Sequence, residues 1–372
     1  MRSALAFKIA SFYFFYFAII AVHIIFMPKV LSIVGYSPSE IGIIFASAPL
    51  VRFIVPFLFL RGLKLNKHIF HFALLLMFVS AMSFYSALEH FYALMAVNIS
   101  LGIGLSLVLP YIELIALEKI GKENYGKIRL FGSIGFILVS LVLVKFSLTP
   151  FTATLYLSIM AGMSAVFGYS ITKNEVLHTK KETLHVNLNL SVFKNHWSLW
   201  FGMLFMQISF GAYYNFFTIY ETDRGLSLDM TIYLWSFGVV VEIFMLYFQG
   251  AILKKELRYV LVFASFMTVI RWVVVDMYST NIIILFISQS IHAISFALFH
   301  SASIAYLYVL YKEKKLAQQF FFGVNYGLGG FLGAISSGYI YEYFPQYLFL
   351  SSALFAFIAT FLLFHSAKVI ER

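Results

Sequence analysis

Six ionisable side chains sit inside otherwise apolar stretches: Arg52, Glu113, Glu242, Arg271, His292 and His300. A charged group at mid-bilayer costs at least ~2.5–3.5 kcal/mol on insertion scales, so it must face a partner or a water-filled cavity. Carboxylate, guanidinium and imidazole at such depth point to the handling of charge and protons. Imidazole titrates near neutrality, and a carboxyl group in a cavity with cationic neighbours can exist in either protonation state. Glu242 is the sharpest case, because a short carboxylate cannot snorkel to the interface as a long basic side chain can. Arg271 stands in "FMTVIRWVVVDMY", Phe266 to Tyr278. It can turn outward to water or inward toward Glu242, and its tolerance there predicts a helix that lines a wet cleft. The competing structural readings are snorkelling for Arg52 and Arg271 and a satisfied core histidine for His292.

The elements that must position these groups follow from the apolar pattern. The chain has 372 residues, 62% hydrophobic and 11% charged, too little polar surface for a soluble protein of this size. The absence of cysteine excludes disulfides and thiolate chemistry. Apolar runs fall at 8–34, 38–60, 68–88, 90–118, 129–148, 150–172, 197–221, 227–250, 258–277, 280–309, 319–343 and 345–366. Each is long enough to span, which predicts an all-α integral membrane protein with twelve transmembrane helices. The first run is too long for a signal-peptide core and reads as a retained helix.

Orientation follows from the basic residues. With twelve spans, the side holding both termini carries 21 Lys and Arg and the other side only Lys29, Lys145 and Arg224. The termini are therefore expected in the cytoplasm, with the chain in the plasma membrane, a bacterial inner membrane being the reading. The net charge of +10 is then a topological signal in loops and not a nucleic-acid footprint. By helical rise, Glu242 lies roughly 21 Å and His292 roughly 18 Å from the outer edge, and Arg271 roughly 8 Å.

The longest polar stretch, 173–196, reads as a cytoplasmic linker between two six-helix bundles at 1–172 and 197–372. The bundles repeat. "GYSPSEIGIIFASAPLVRFIVPF" and "GLSLDMTIYLWSFGVVVEIFMLY" align at a 190-residue offset, pairing Gly35 with Gly225, Ser37 with Ser227 and Arg52 with Glu242. Parallel repeats of this kind are expected to place a substrate site at their interface. The glycines of "GKIRLFGSIGF" and "GVNYGLGGFLGAISSG" predict close helix packing. In the seventh run, "QISFGAYYNFFTIY" mixes rings with polar tips, and Tyr213 and Asn215 suit a cavity wall for a ringed solute. A tyrosine belt at the interface is the alternative.

On "NYGKIRLFGSIGFIL", "GAYYNFFTIY", "LWSFGVVVEI", "IRWVVV", "QSIHAISFALFHSASIAYL" and "YGLGGFLGAISSGYIYE", the chain resembles the major facilitator superfamily. More narrowly, it is similar to the branch holding 3-phenylpropionic acid transporters, nucleoside–proton symporters and lactose permease-like sugar–proton symporters. The resemblance implies two pseudo-symmetric six-helix bundles. It also implies that Glu113, reached with a one-residue shift, and Arg129 hold the solute while Phe136 stacks on it. Glu242, Arg271 and His292 match the family's acid, arginine and histidine on helices 8, 9 and 10. Phe136 replaces a tryptophan. Ser295 stands where the sugar symporters carry a second acid, so proton coupling has to run through Glu242 and His292. The loop "RGLKLNK" departs from the superfamily's Gly-x-x-x-Asp pattern.

The expectation is a secondary active transporter working by alternating access, with a proton as coupling ion and no other cofactor. Its solute would be an aromatic or other organic acid or a sugar-like molecule. Its partners are that solute and the bilayer, with no nucleic acid, and the chain is read as a monomer. A membrane sensor that binds without transporting is the alternative. No His-Glu-x-x-His, Gly-x-Ser-x-Gly or phosphate-cradling motif supports an enzyme.

Overall fold

A computed structural model describes residues 2–60, 65–146, 149–173, 195–311 and 314–366. The greater part of the 173–196 linker lies outside the described residues, as does part of the 61–67 loop. Among the described residues there is no strand. Twelve spans appear among the described residues. α1 runs as Arg2–Ala21, a π-turn Val22–Phe26 and Met27–Val34. α2 is Pro38–Leu60, α3 Lys67–Ala87, α4 Phe91–Lys119, α5 Lys122–Lys145 and α6 Pro150–Lys173. α7 comprises Trp197–Ser209 and Gly211–Asp223, and α8 is Leu228–Phe248. α9 is Leu257–Met277, and α10 runs as Ile282–Ser290, a π-turn Ala293–Leu298 and Phe299–Leu310. α11 runs as Lys314–Phe321, a π-turn Phe322–Gly329 and Gly330–Tyr343, and α12 is Leu348–Phe364. Ten of these are long and apolar enough to cross a membrane as continuous helices. The other two are α7, interrupted at Phe210, and α11, built in three pieces. The chain is thus an all-α integral membrane protein.

Lipid is the natural cover for what these helices expose. Phe244, Tyr247 and Phe248 on α8 and Phe357, Phe361 and Phe364 on α12 all project outward, an apolar surface that water would not tolerate.

Contacts divide the chain into two compact units: Met1–Tyr36 with Phe57–Val186, and Ser37–Pro56 with Asn187–Arg372. Within the first, α1 packs on α5 and α6, α3 on α4, and α3 on α6. Within the second, the same pairs recur six helices later: α7 packs on α11 and α12, α9 on α10, and α9 on α12. The bundles are pseudo-symmetric in their packing as well as in sequence. The 190-residue repeat is also visible in the backbone. Gly35 and Gly225 both take left-handed conformations, at φ 109° and 94°. Each closes its helix with a six-residue loop, Tyr36 N donating to Leu31 O (3.1 Å) and Leu226 N to Glu221 O (3.0 Å). Ser37 and Ser227 then cap the next helix, accepting from Glu40 N and Met230 N. A Cβ at either glycine meets nothing within 4 Å, so the demand is purely conformational. Gly225→Ala is expected to cost about 1–2 kcal/mol, read as a lower unfolding temperature of the detergent-solubilised protein.

The first part of α2 groups with the second unit because it lies backbone to backbone along α11. A Cβ on Gly42 would sit 2.6 Å from Ala334 O, and one on Gly327 2.7 Å from Phe53 Cα. Ser39 N donates to Glu342 Oε2 at 2.9 Å. α7 meets α11 as tightly, since a Cβ on Gly211 would stand 2.2 Å from Gly333 O. Gly135 does the same for α5 against Phe14 O of α1, at 2.1 Å. Gly135 and Gly327 pack as the sequence predicts, whereas a Cβ on Gly126 meets nothing.

Candidate functional site

In the second unit, four helices bring their polar residues to one place. Arg271 on α9 is wholly buried. Its Nη1 donates to His292 Nδ1 (2.9 Å) and to Ser295 Oγ (3.3 Å), and its Nη2 to Gln289 Oε1 (3.0 Å). Gln289 Oε1 also accepts from the Tyr213 hydroxyl of α7 at 3.0 Å. Tyr213 and Trp272 each place a ring centroid 4.4 Å from the guanidinium carbon, so ring faces supply the remaining stabilisation. Gln289, His292 and Ser295 follow one another at three-residue steps on α10, one face of a helix. The expected wet cleft around Arg271 is therefore corrected. The side chain turns inward and is sealed in a nest of protein acceptors and aromatic rings, with its Nε left unpartnered.

His292 links this nest to α8. Its Nε2 lies 3.6 Å from Glu242 Oε2, and its ring stacks on Phe296 at 5.3 Å, nearly parallel. A guanidinium only donates, so Nδ1 must be the accepting nitrogen and Nε2 carries the hydrogen, directed at Glu242. Arg271, His292 and Glu242 thus form one chain across α9, α10 and α8. Glu242 retains 23% side-chain exposure, whereas Arg271 and His292 are buried. α8 approaches closely because Gly238, one turn before Glu242, lacks a side chain. A Cβ there would lie 3.3 Å from Gln289 Oε1 and 3.7 Å from the Tyr213 hydroxyl. Gly238→Val is expected to force Gln289 away, loosening Arg271 and lowering the unfolding temperature.

A second cluster lies in the first unit. Glu113 on α4 accepts from the Tyr125 hydroxyl (3.2 Å) and stands 3.7 Å from Arg129 Nε. Arg129 lies over the Phe17 ring at 4.0 Å and near Tyr13 at 5.3 Å. Gly132, one turn on, makes this stack possible, since a Cβ there would come 2.6 Å from Phe17 Cδ2 and 3.0 Å from Arg129 Nη1. α5 starts at Lys122 and not near 129, so Arg129 sits two turns inside the helix and not among the loop cations. Arg129 and Glu113 keep 30% and 33% side-chain exposure, which leaves both available to a ligand. Phe136, two turns beyond Arg129 on the same face, is half-buried.

Two predicted residues stand apart. Asn215 is buried, and its Nδ2 donates to Gly211 O of its own helix at 2.8 Å. Arg52 is exposed on α2. Gln289, Gly238, Tyr125 and Phe17 were not singled out by sequence. The three-residue spacing before His292 was the available signal for Gln289. Among the described residues, no group of three His, Cys, Asp or Glu could hold a metal ion.

Comparison with known proteins places this geometry in context. The model of the MFS_1 like family matches residues 6–351. The probable 3-phenylpropionic acid transporter of Escherichia coli (strain K12) is 24% identical over 362 residues, covering 94% of this chain and 95% of its own length. The nucleoside transporter NupG superposes with a TM-score of 0.81 at 16% identity, over 97% of this chain and 98% of that one. A D-xylose-proton symporter gives 0.74 at 12% identity, over 99% and 98%. At these identities the solved structures establish likeness of fold alone.

Proposed function

The chain belongs to the MFS_1 like family of major facilitator transporters, and from that premise we propose that it is a proton-coupled symporter for a small aromatic carboxylate, working by alternating access. The observation that carries the proton part is the single chain Arg271–His292–Glu242. With Glu242 ionised, it is neutral overall. Adding a proton to Glu242 leaves one uncompensated cation, and an anionic solute restores the balance. Proton and anion then favour each other's binding, the reciprocal coupling that symport requires. A proton placed on His292 Nδ1 would abolish its bond to Arg271, so the guanidinium reports the state of the pair through its own geometry.

The solute part rests on Arg129. Its guanidinium is held flat by two rings and paired loosely with Glu113, which suits a forked bond to a carboxylate. Phe17 and Phe136, both half-buried, offer ring surface to an aromatic body. A relative named as a probable 3-phenylpropionic acid transporter fits this chemistry. The bias of basic residues, 20 to 3 once Arg129 is placed inside α5, supports cytoplasmic termini in a bacterial inner membrane.

The test is protein-dependent entry of radiolabelled 3-phenylpropanoate into proteoliposomes. Arg129→Gln is expected to weaken apparent affinity roughly 10- to 100-fold by removing a charge-assisted bond. Unchanged affinity sinks the carboxylate reading. Binding without exchange of labelled for unlabelled solute favours the sensor.

A further inference from the structure

Beyond the Arg271 cluster, α10 and α11 share a second ionisable pair, half-buried. His300 Nδ1 lies 2.6 Å from the Tyr326 hydroxyl. Four rings surround the imidazole: Phe321, Tyr326 and Phe322, with centroids at 5.6, 5.7 and 5.8 Å, and Phe296 at 6.5 Å. Both helices are built for the meeting. The π-turn Ala293–Leu298 widens the helical turn, which brings His292, Phe296 and His300, four residues apart, onto one face. Phe296 stacks against both histidines, at 5.3 Å and 6.5 Å. Tyr326 lies inside the other π-turn, Phe322–Gly329.

We infer that His300 and Tyr326 form a second proton-carrying pair, through which the transported proton leaves the Arg271–His292–Glu242 cluster toward the cytoplasm. The inference rests on the symport reading above. His300 lies eight residues beyond His292, about 12 Å further along the helix axis, toward the end that basic residues assign to the cytoplasm. It is half-buried. The titratable groups acting on Tyr326 are Glu242 and Arg52, and Tyr214 couples to both Tyr326 and Glu242. Other cations on elements packed against this part of α10 are Lys254, Arg258, which donates to Ser366 O, and Lys314, which sits over Tyr308. A phenol both accepts and donates, so it can pass a proton without holding a charge. In the step, protonated Glu242 gives its proton to the Tyr326 oxygen as the phenol's own proton moves to His300 Nδ1. Carboxylate and imidazolium result. The imidazolium then gives its Nε2 proton to cytoplasmic water, and a ring flip restores the accepting nitrogen.

Tyr326→Phe removes one oxygen and keeps the ring, so it tests the relay with the fold intact. His300→Gln is the companion variant. In proteoliposomes of the full chain, exchange of labelled for unlabelled 3-phenylpropanoate needs no proton release, whereas entry driven by an inside-alkaline gradient does. Both variants are expected to keep exchange within about twofold and to lose gradient-driven entry by roughly tenfold or more. Gradient-driven entry at the wild-type rate in Tyr326→Phe overturns the inference. So does equal loss of exchange and driven entry, which would make the pair part of solute binding or packing. Wild-type protein that exchanges but ignores the gradient instead overturns the symport reading itself.

Discussion

Glu242→Gln is expected to exchange solute at close to the wild-type rate and to respond no longer to a pH gradient. The substitution keeps the shape of the side chain and a carbonyl acceptor for the His292 Nε2 hydrogen, which lies 3.6 Å from the carboxylate today. What it removes is the group that gains and loses a proton. An imposed gradient of about one pH unit should support about a tenfold accumulation in the wild type if one proton accompanies each solute, and about none of that protein-dependent component in the variant. Early readings against protein-free vesicles are essential, because a protonated aromatic acid crosses lipid unaided. Normal gradient-driven accumulation by Glu242→Gln would remove the carboxylate from the mechanism.

The second large effect is expected at Arg271. Three hydrogen bonds converge on its two terminal nitrogens, and the residue has no exposed surface. Arg271→Met should lose transport and destabilise the fold by about 3–5 kcal/mol, since it leaves Glu242 and the acceptors on Gln289 and His292 without the cation they face. Arg271→Lys should recover little. An ammonium is a point charge and cannot reproduce a planar fork that bonds three residues while lying against two rings. Unfolding temperature and exchange rate together decide the matter. A stable, exchanging Arg271→Lys would show that charge alone suffices.

Much of this architecture was legible in the sequence for a physical reason. A bilayer demands about 20 apolar residues per span, so hydropathy fixes the helices strongly, and the repeat showed itself through Gly35 and Gly225, whose left-handed φ few other residues adopt. The intramembrane charges were legible by their cost. Their partners were not. Arg271 looked as though it needed water, yet Gln289, Ser295 and His292 satisfy it, because α9 and α10 run side by side and the three lie on one face of α10. Asn215 looked like a cavity residue by composition, but an amide can bond its own helix, and it does so with Gly211 O. The π-turns at Val22–Phe26, Ala293–Leu298 and Phe322–Gly329 left no periodic signal, since each shifts the register by a single residue. The true start of α5 was hidden because the helix opens on polar residues such as Asn124, Lys127 and Arg129, and polarity reads as loop.

The central claim is that solute and proton cross together. It is tested most directly by adding 3-phenylpropanoate outside weakly buffered proteoliposomes with no imposed gradient and following external pH. The account predicts protein-dependent alkalinisation of the medium in step with solute entry, absent from Glu242→Gln. Protein-dependent entry of solute with no movement of external pH would contradict it.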